Sequence, residues 1–162
     1  MALPDAAQTW NFDLIFPFIP GANDSQTLTV RCKTTSLPGS KIEGIDIELH
    51  GVKKREAGRA QYDHTFTFML METVGFDSYT KLRQWRDRTR SWKNNTGADS
   101  AEYKVNAELD LYDNQGNTTK TIVINGCWLE EIANVDFNGA ESAGVEISAT
   151  LSFDFLDDGV SY

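Results

Sequence analysis

Cysteine is scarce in this chain: Cys32 and Cys127 are the only two in 162 residues, too few for a disulfide-scaffolded fold. Both sit in apolar, alternating stretches, so two buried thiols are the expected state, with a single bridge between them as the alternative. Histidine is equally rare, with only His50 and His64. None of the four residues stands at ligand spacing from another, which argues against a metal centre. Long apolar runs are missing, so no helix of membrane-spanning length is expected. The opening Met-Ala-Leu-Pro-Asp has no basic segment leading into an apolar run, so no signal peptide is expected. No internal repeat and no low-complexity segment is present.

Catalytic patterns are missing as well. There is no G-x-S-x-G and no phosphate-cradling glycine loop; Gly139 to Gly144 is too loosely spaced and lacks the lysine. Glu130-Glu131 and Asp157-Asp158 are adjacent pairs, which along a strand point to opposite faces and cannot share a cleft. A cysteine nucleophile would need a histidine and an orienting group beside it, and packing explains both cysteines better. A non-enzymatic protein with no cofactor is the expectation. Four tryptophans raise the possibility of a sugar-binding module, but Trp10, Trp85, Trp92 and Trp128 all fit core or interface stripes.

Basic residues are thin in the second half. Residues 1–98 hold 13 of the 15 Lys and Arg and 11 of the 24 Asp and Glu, whereas residues 99–162 hold 2 and 13. The net charge of −9 makes a general affinity for nucleic-acid phosphate unexpected, while it suits DNA that passes close by without sticking. Two readings of the asymmetry stand open. The halves pair within one molecule, or the basic surface of one copy meets the acidic surface of the next, a heterologous contact that builds rings or filaments.

What is present is mostly alternation of period two. Trp10, Phe12, Leu14, Phe16 and Phe18 form a strict alternating set, with Pro17 near the strand's end. Leu28, Val30 and Cys32 form a second set after the turn Pro20 to Asp24. Ile45, Ile47 and Leu49 form a third, Tyr62 to Leu70 a fourth and Val105 to Leu111 a fifth. Asp113 to Asn117 closes a hairpin into a return strand, Thr118 to Leu129, in which Gly126 marks a bulge or a close backbone approach. Glu130 to Phe137 holds a possible short extra strand. Val145 to Phe155 is the cleanest alternation. Gly51 to Ala60 has no periodicity and reads as a basic surface loop carrying Lys53, Lys54, Arg55 and Arg59.

One helix interrupts the strands. Asp77 is the expected N-cap. Tyr79, Leu82, Trp85 and Trp92 fall near one stripe, and Arg83, Arg86, Arg88 and Arg90 surround it. Asn94 to Gly97 stops it, and a polar connector runs through residues 94–102. The basic residues of this helix could grip nucleic acid, but in an acidic chain solvation and pairing with a neighbour's carboxylates are the expected roles. The pattern predicts one domain over 1–162, mainly β: a sandwich or barrel of about seven to nine antiparallel strands with one α-helix packed against it. Residues 1–9 and 156–162 are read as flexible or inter-subunit termini.

Ordered blocks of the sequence resemble a known family. Val30 to Gly39 (V-R-C-K-T-T-S-L-P-G), Gly58 to Met69, Tyr79 to Asp87, Ala101 to Lys104 and Ile124 to Leu129 are similar, in the same order, to T4-like contractile-phage tail tube proteins, which are related to type VI secretion and contractile bacteriocin tube proteins. The resemblance spans roughly residues 28–155; Trp10 to Phe18 and the acidic tail depart from it. It implies subunits forming hexameric rings that stack into a hollow tube, working with tail sheath, baseplate and tape-measure proteins, in a virion assembled in the host cytoplasm. Double-stranded DNA would pass through the lumen without specific binding. The segment Gly51 to Gln61 would bridge subunits and rings. Contact candidates are Lys53, Lys54, Arg55, Arg59, Arg83, Arg86, Arg88 and Arg90. Lumen candidates are Asp46, Glu48, Glu108, Asp110, Glu146 and Asp154. A tube protein of a related injection machine, a baseplate-proximal tube protein and a monomeric β-sandwich binding module are the alternatives.

Overall fold

A computed structural model describes residues 6–20, 32–140 and 143–159. Its strands are β1 (Phe12–Ile15), β2 (Cys32–Thr35), β3 (Ser40–Leu49), β4 (Val52–Tyr62), β5 (Thr65–Met71), β6 (Val105–Tyr112), β7 (Thr118–Ile132), β8 (Glu146–Ser152) and β9 (Phe155–Asp157). Helix α1 (Asp77–Thr89) and the short α2 (Ser100–Tyr103) separate β5 from β6. The chain is mainly β with one main helix, as the alternation predicts. Most of the expected second strand, from Leu28 to Arg31, lies outside the described residues.

The strands form one continuous antiparallel sheet in the order β1-β6-β7-β8-β5-β2, with β9 also on β7, and a separate ribbon of β3 and β4. β7 belongs to two layers. Its first half pairs β6 on one side and β9 on the other, and its second half pairs β8. The layers face each other across a single apolar core. Leu14, Ala107, Leu109, Ile122 and Ile124 come from one, and Phe66, Phe68, Leu70, Leu129, Ile147, Ala149 and Leu151 from the other. Alternate residues of these strands are buried because only one face of each layer touches the core. Among the described residues no ladder joins β1 to β2, so the sheet stays open and the barrel alternative does not apply.

The layers meet at a corner built by Gly126 and Asp154. Gly126 has φ +69°, and β7 carries one extra residue against β6 at this point, the bulge expected from its glycine. The expected single strand Val145 to Phe155 is divided at the same corner. β8 stays in one layer, Asp154 donates its amide to Asn125 at 2.9 Å, and β9 continues in the other layer. Alternation continues across the break, so periodicity alone cannot reveal it.

Helix α1 covers the core edge with Leu82 and Trp85, both fully buried. Trp85 meets Phe16 edge-on at 5.9 Å and donates its indole N–H to the Tyr103 carbonyl at 2.9 Å, so burying it leaves no polar atom unpaired. Asp77 is not the cap. The N-cap is Phe76, held at φ 53°, and the free amide of Tyr79 is satisfied at 2.8 Å by Glu72 Oε2 from the end of β5. Asp77 lies in the first turn, where a negative charge suits the helix dipole. The helix ends before Trp92, which is exposed.

Four further expectations are corrected. Gly51 to Ala60 is not a loop: residues 52–62 are β4, paired with β3 from Leu49↔Val52 to Ser40↔Tyr62. The predicted alternation of Ile45, Ile47 and Leu49 falls in β3, but its partner β4 is exposed on nearly every residue of both faces, so no burial imposes a period on it. The connector over 94–102 contains the start of α2, a single turn too short to carry a periodic signal. β1 stops at Ile15, leaving Trp10 and Phe18 exposed, while Phe16 and Ile19 are buried beyond the strand. Residues 130–132 continue β7, and among the described residues 133–137 form no separate strand.

Candidate inter-subunit surface

The β3–β4 ribbon pairs with no other strand among the described residues. Its turn is His50-Gly51, both in the left-handed region at φ 50° and 79°, the backbone of a tight two-residue hairpin. A bulge at Gly58-Arg59 twists it, and a Cβ on Gly58 would press on the Glu43 carbonyl at 3.0 Å. A lone two-stranded ribbon is marginally stable in water, and this one exposes Ile42, Ile45, Leu49 and Val52.

The pairing sorts the charges by face. Asp46 lies opposite Arg55 and Glu48 opposite Lys53. On this charged face, Lys53 Nζ and Arg55 Nε approach Asp46 at 3.8 and 3.7 Å. These are exposed pairs, worth little individually. The opposite face carries Ile45 beside Glu56, Ile47 beside Lys54, and Leu49 beside Val52. The ribbon thus joins two sets that the sequence reading kept apart: the basic contact candidates and the acidic residues Asp46 and Glu48.

The helix arginines do not form one surface. Arg83 and Arg86 lie over the Trp92 ring at 4.7 and 5.7 Å, an exposed cation–π stack beside a groove of about 580 Å³ shared with Phe76 and Phe137. Arg88 Nη2 meets Glu102 at 3.6 Å, and Arg90 Nη1 donates to the Asn95 carbonyl at 3.0 Å, closing the turn after the helix.

The acidic candidates also divide. Glu146 is ion-paired with Lys33, and both Asp154 oxygens accept from Lys104 Nζ at 2.8 and 2.9 Å. Glu108 and Asp110 share the outer face of the first layer. Asp13 is directly opposite Asp110, Glu108 opposite Ile15 and Val123, and Val123 opposite Asp157. Sequence reading missed Asp13 and Asp157 because their membership of this face depends on strand order. The Tyr112 hydroxyl donates to Asp13 at 2.9 Å, and that bond raises the phenol's pKa. Burial pushes the Cys32 thiol up to about 11 and the Cys127 thiol up to about 12, and neither is in a disulfide.

Against this geometry, a family model described as phage tail tube protein matches residues 4–123, well over half of the chain. The chain belongs to the phage tail tube protein family. As a tail tube protein it has a structural role, and its fold recurs in contractile injection systems. A chain of the anti-feeding prophage tube-terminating cap superposes with TM-score 0.69 at 12% identity, covering 97% of this chain and 93% of that one. A chain of the PVC extracellular contractile injection system, from its sheath/tube terminator, gives TM-score 0.70 at 14% identity, covering 96% and 98%. Hcp1 from Flavobacterium johnsoniae gives TM-score 0.51 at 9% identity, covering 91% and 94%. At these identities the likeness is one of fold. No curated protein matches this sequence.

Proposed function

We propose that this tail tube protein assembles into hexameric rings that stack into the inner tube of a contractile-tailed bacteriophage. The tube runs inside a sheath from a baseplate, forms around a tape-measure protein, and conducts double-stranded DNA. The observation that carries the reading is the β3–β4 ribbon. It is an exposed, self-paired hairpin with one charged face and one face that mixes Ile45, Ile47, Leu49 and Val52 with the ion-paired Lys54 and Glu56, attached to a sheet that does not need it for its own core. In a ring or stack, a neighbouring copy would cover it.

The channel surface is assigned to the outer face bearing Asp13, Glu108, Asp110 and Asp157. An acidic wall repels phosphate, so DNA slides without binding. Asp46 and Glu48 belong to the contact ribbon, and the ion pairs at Glu146 and Asp154 make those two poorer sources of repulsion.

A second reading has its own support. The similar folds include chains from the anti-feeding prophage and PVC assemblies, so a tube or cap of a related injection machine is the alternative. Negative-stain microscopy of the purified chain tests both, since rings or tubes are expected and a monodisperse monomer at high concentration would reject them. Capsid and terminase genes beside this one would separate the phage reading from the other. Reversing Lys53, Lys54, Arg55 and Arg59 together to Glu is expected to abolish tube growth with the fold intact. Tubes of wild-type length from that variant would reject the ribbon's role.

A further inference from the structure

The chain contains two Asn-Gly pairs, Asn125-Gly126 and Asn138-Gly139. A glycine after asparagine has no Cβ, so its backbone nitrogen can close on the asparagine side-chain carbon with little obstruction. The fold treats the two pairs in opposite ways.

Asn125-Gly126 is locked. Asn125 lies inside β7 opposite Phe155, and its carbonyl accepts the Asp154 amide at 2.9 Å. The Gly126 N–H donates to Asn106 Oδ1 at 3.2 Å, and both residues of the pair are half-buried. A nitrogen whose proton is held in that bond cannot act as a nucleophile until the corner between the layers opens.

Asn138-Gly139 is open. Both residues are exposed, on the segment between β7 and β8, and the pair belongs to no ladder. Among the described residues the Gly139 N–H has no acceptor, and a Cβ built on Gly139 meets nothing within 4 Å. The Ala140 N–H donates to Asn138 Oδ1 at 3.0 Å. That bond spans the Gly139 peptide, so it folds the side-chain amide back over the nitrogen that attacks it. It also lands on the oxygen that gains negative charge during the attack, as an oxyanion donor does.

We infer that Asn138 is a self-modifying site, converted by its own backbone and water to aspartyl and isoaspartyl forms. The Gly139 nitrogen gives its proton to water and bonds to Asn138 Cγ. The Cγ–Nδ2 bond breaks, and Nδ2 takes up a proton and leaves as ammonia, closing a cyclic succinimide. Water then opens the ring. Cleavage of the new Cγ–N bond leaves an aspartyl residue in the normal chain. Cleavage of the original backbone C–N bond leaves an isoaspartyl linkage, with an extra methylene in the backbone. Either product adds a negative charge next to Phe137, whose ring packs on Phe76 at 6.0 Å and lines the groove that holds Arg83 and Arg86. The inference stands on the fold alone and does not depend on the proposed assembly.

The test incubates the purified chain at neutral pH and body temperature, native and in guanidinium chloride. Peptide mass spectrometry follows both asparagines, and methyl transfer from S-adenosylmethionine by an isoaspartyl methyltransferase reports the isoaspartyl product. In the native chain Asn138 is expected to convert more than about tenfold faster than Asn125, a barrier difference of at least about 1.4 kcal/mol. In denaturant the gap is expected to close, because Asn125 speeds up and Asn138 does not. Gly139→Ala is expected to slow native Asn138 several-fold with the melting curve unchanged, since its Cβ enters open space.

Native Asn125 converting as fast as Asn138 would overturn the inference. So would native Asn138 converting more than about tenfold slower than in denaturant, since the Oδ1 bond would then hold the side chain in an unreactive pose. Conversion without any methyl-accepting product would overturn the succinimide route.

Discussion

The corner between Gly126 and Asp154 gives the most exacting test of the fold, and Gly126→Ala is its perturbation. At φ +69°, an L-residue pays roughly 1–2 kcal/mol that glycine does not. The added methyl would also lie 2.2 Å from Asp154 Oδ2 and 2.7 Å from its Cγ. The carboxylate cannot swing away freely, because both oxygens are held by Lys104. Displacing it loses an ion pair whose members are 29% and 49% exposed, discounted for solvent to about 0.5–1 kcal/mol. The total, about 1.5–3 kcal/mol, is a large part of the 5–15 kcal/mol typical of a domain.

The assay is urea unfolding of a double-mutant cycle with Asp154→Ala. Asp154→Ala alone removes only the exposed pair and is expected to cost about 0.5–1 kcal/mol. In its presence the methyl loses its main obstacle, so Gly126→Ala should cost only the backbone strain. The double variant should then be more stable than additivity predicts by about 0.5–1 kcal/mol, the ion-pair term that both single variants lose. Strict additivity would show that Asp154 does not set the cost. A Gly126→Ala chain as stable as wild type would refute the corner geometry itself.

Other outcomes follow from single contacts. Glu72→Ala removes the acceptor of the Tyr79 amide and should destabilise the chain by about 1 kcal/mol, read as a lower melting temperature with loss of helical signal. The thiols at about 11 and about 12 are largely protonated at pH 8, so Ellman's reagent should label both far faster after unfolding than before; rapid labelling of native Cys127 would contradict its burial. Asp113 accepts the amides of Gln115 and Asn117, and the Asn117 bond leads in lowering its pKa. The folded value lies below the unfolded one, so its stabilisation is present above the ordinary carboxylate pKa of roughly 4 and disappears as pH falls through the folded value. Melting temperatures of wild type and Asp113→Asn should therefore converge in acid. Trp92→Ala should leave secondary structure unchanged while freeing Arg83 and Arg86, visible as loss of the Trp92 fluorescence contribution with little change in melting temperature.

The core was legible wherever one face of an element touches it. Leu14, the three inward residues of β5 and the inward set of β8 were marked by alternation alone, because burial on one side imposes period two. Leu82 and Trp85 were marked in the same way by helical spacing. The β3 half of the ribbon was marked by Ile45, Ile47 and Leu49, but the β4 half was not legible, since it is exposed on both faces, carries no period, and its charged residues imitate a loop. The cap at Phe76 was not legible either, because Glu72 supplies the acceptor from a different element and local rules favour Asp77.

The sequence by itself determined the class of fold, the single main helix, the uneven charge and the ordered blocks that resemble the tube family. Those properties are local, set by periodicity and composition over a few residues. Only the tertiary structure decided that β7 and the β8–β9 segment cross layers together at Gly126. It also decided that Lys33 and Lys104 neutralise two of the acidic candidates, and that Asp13 and Asp157 join Glu108 and Asp110 on one face. Each depends on which distant strands lie side by side, and strand order is fixed by packing across the core, where sequence separations of up to a hundred residues collapse to a few ångströms.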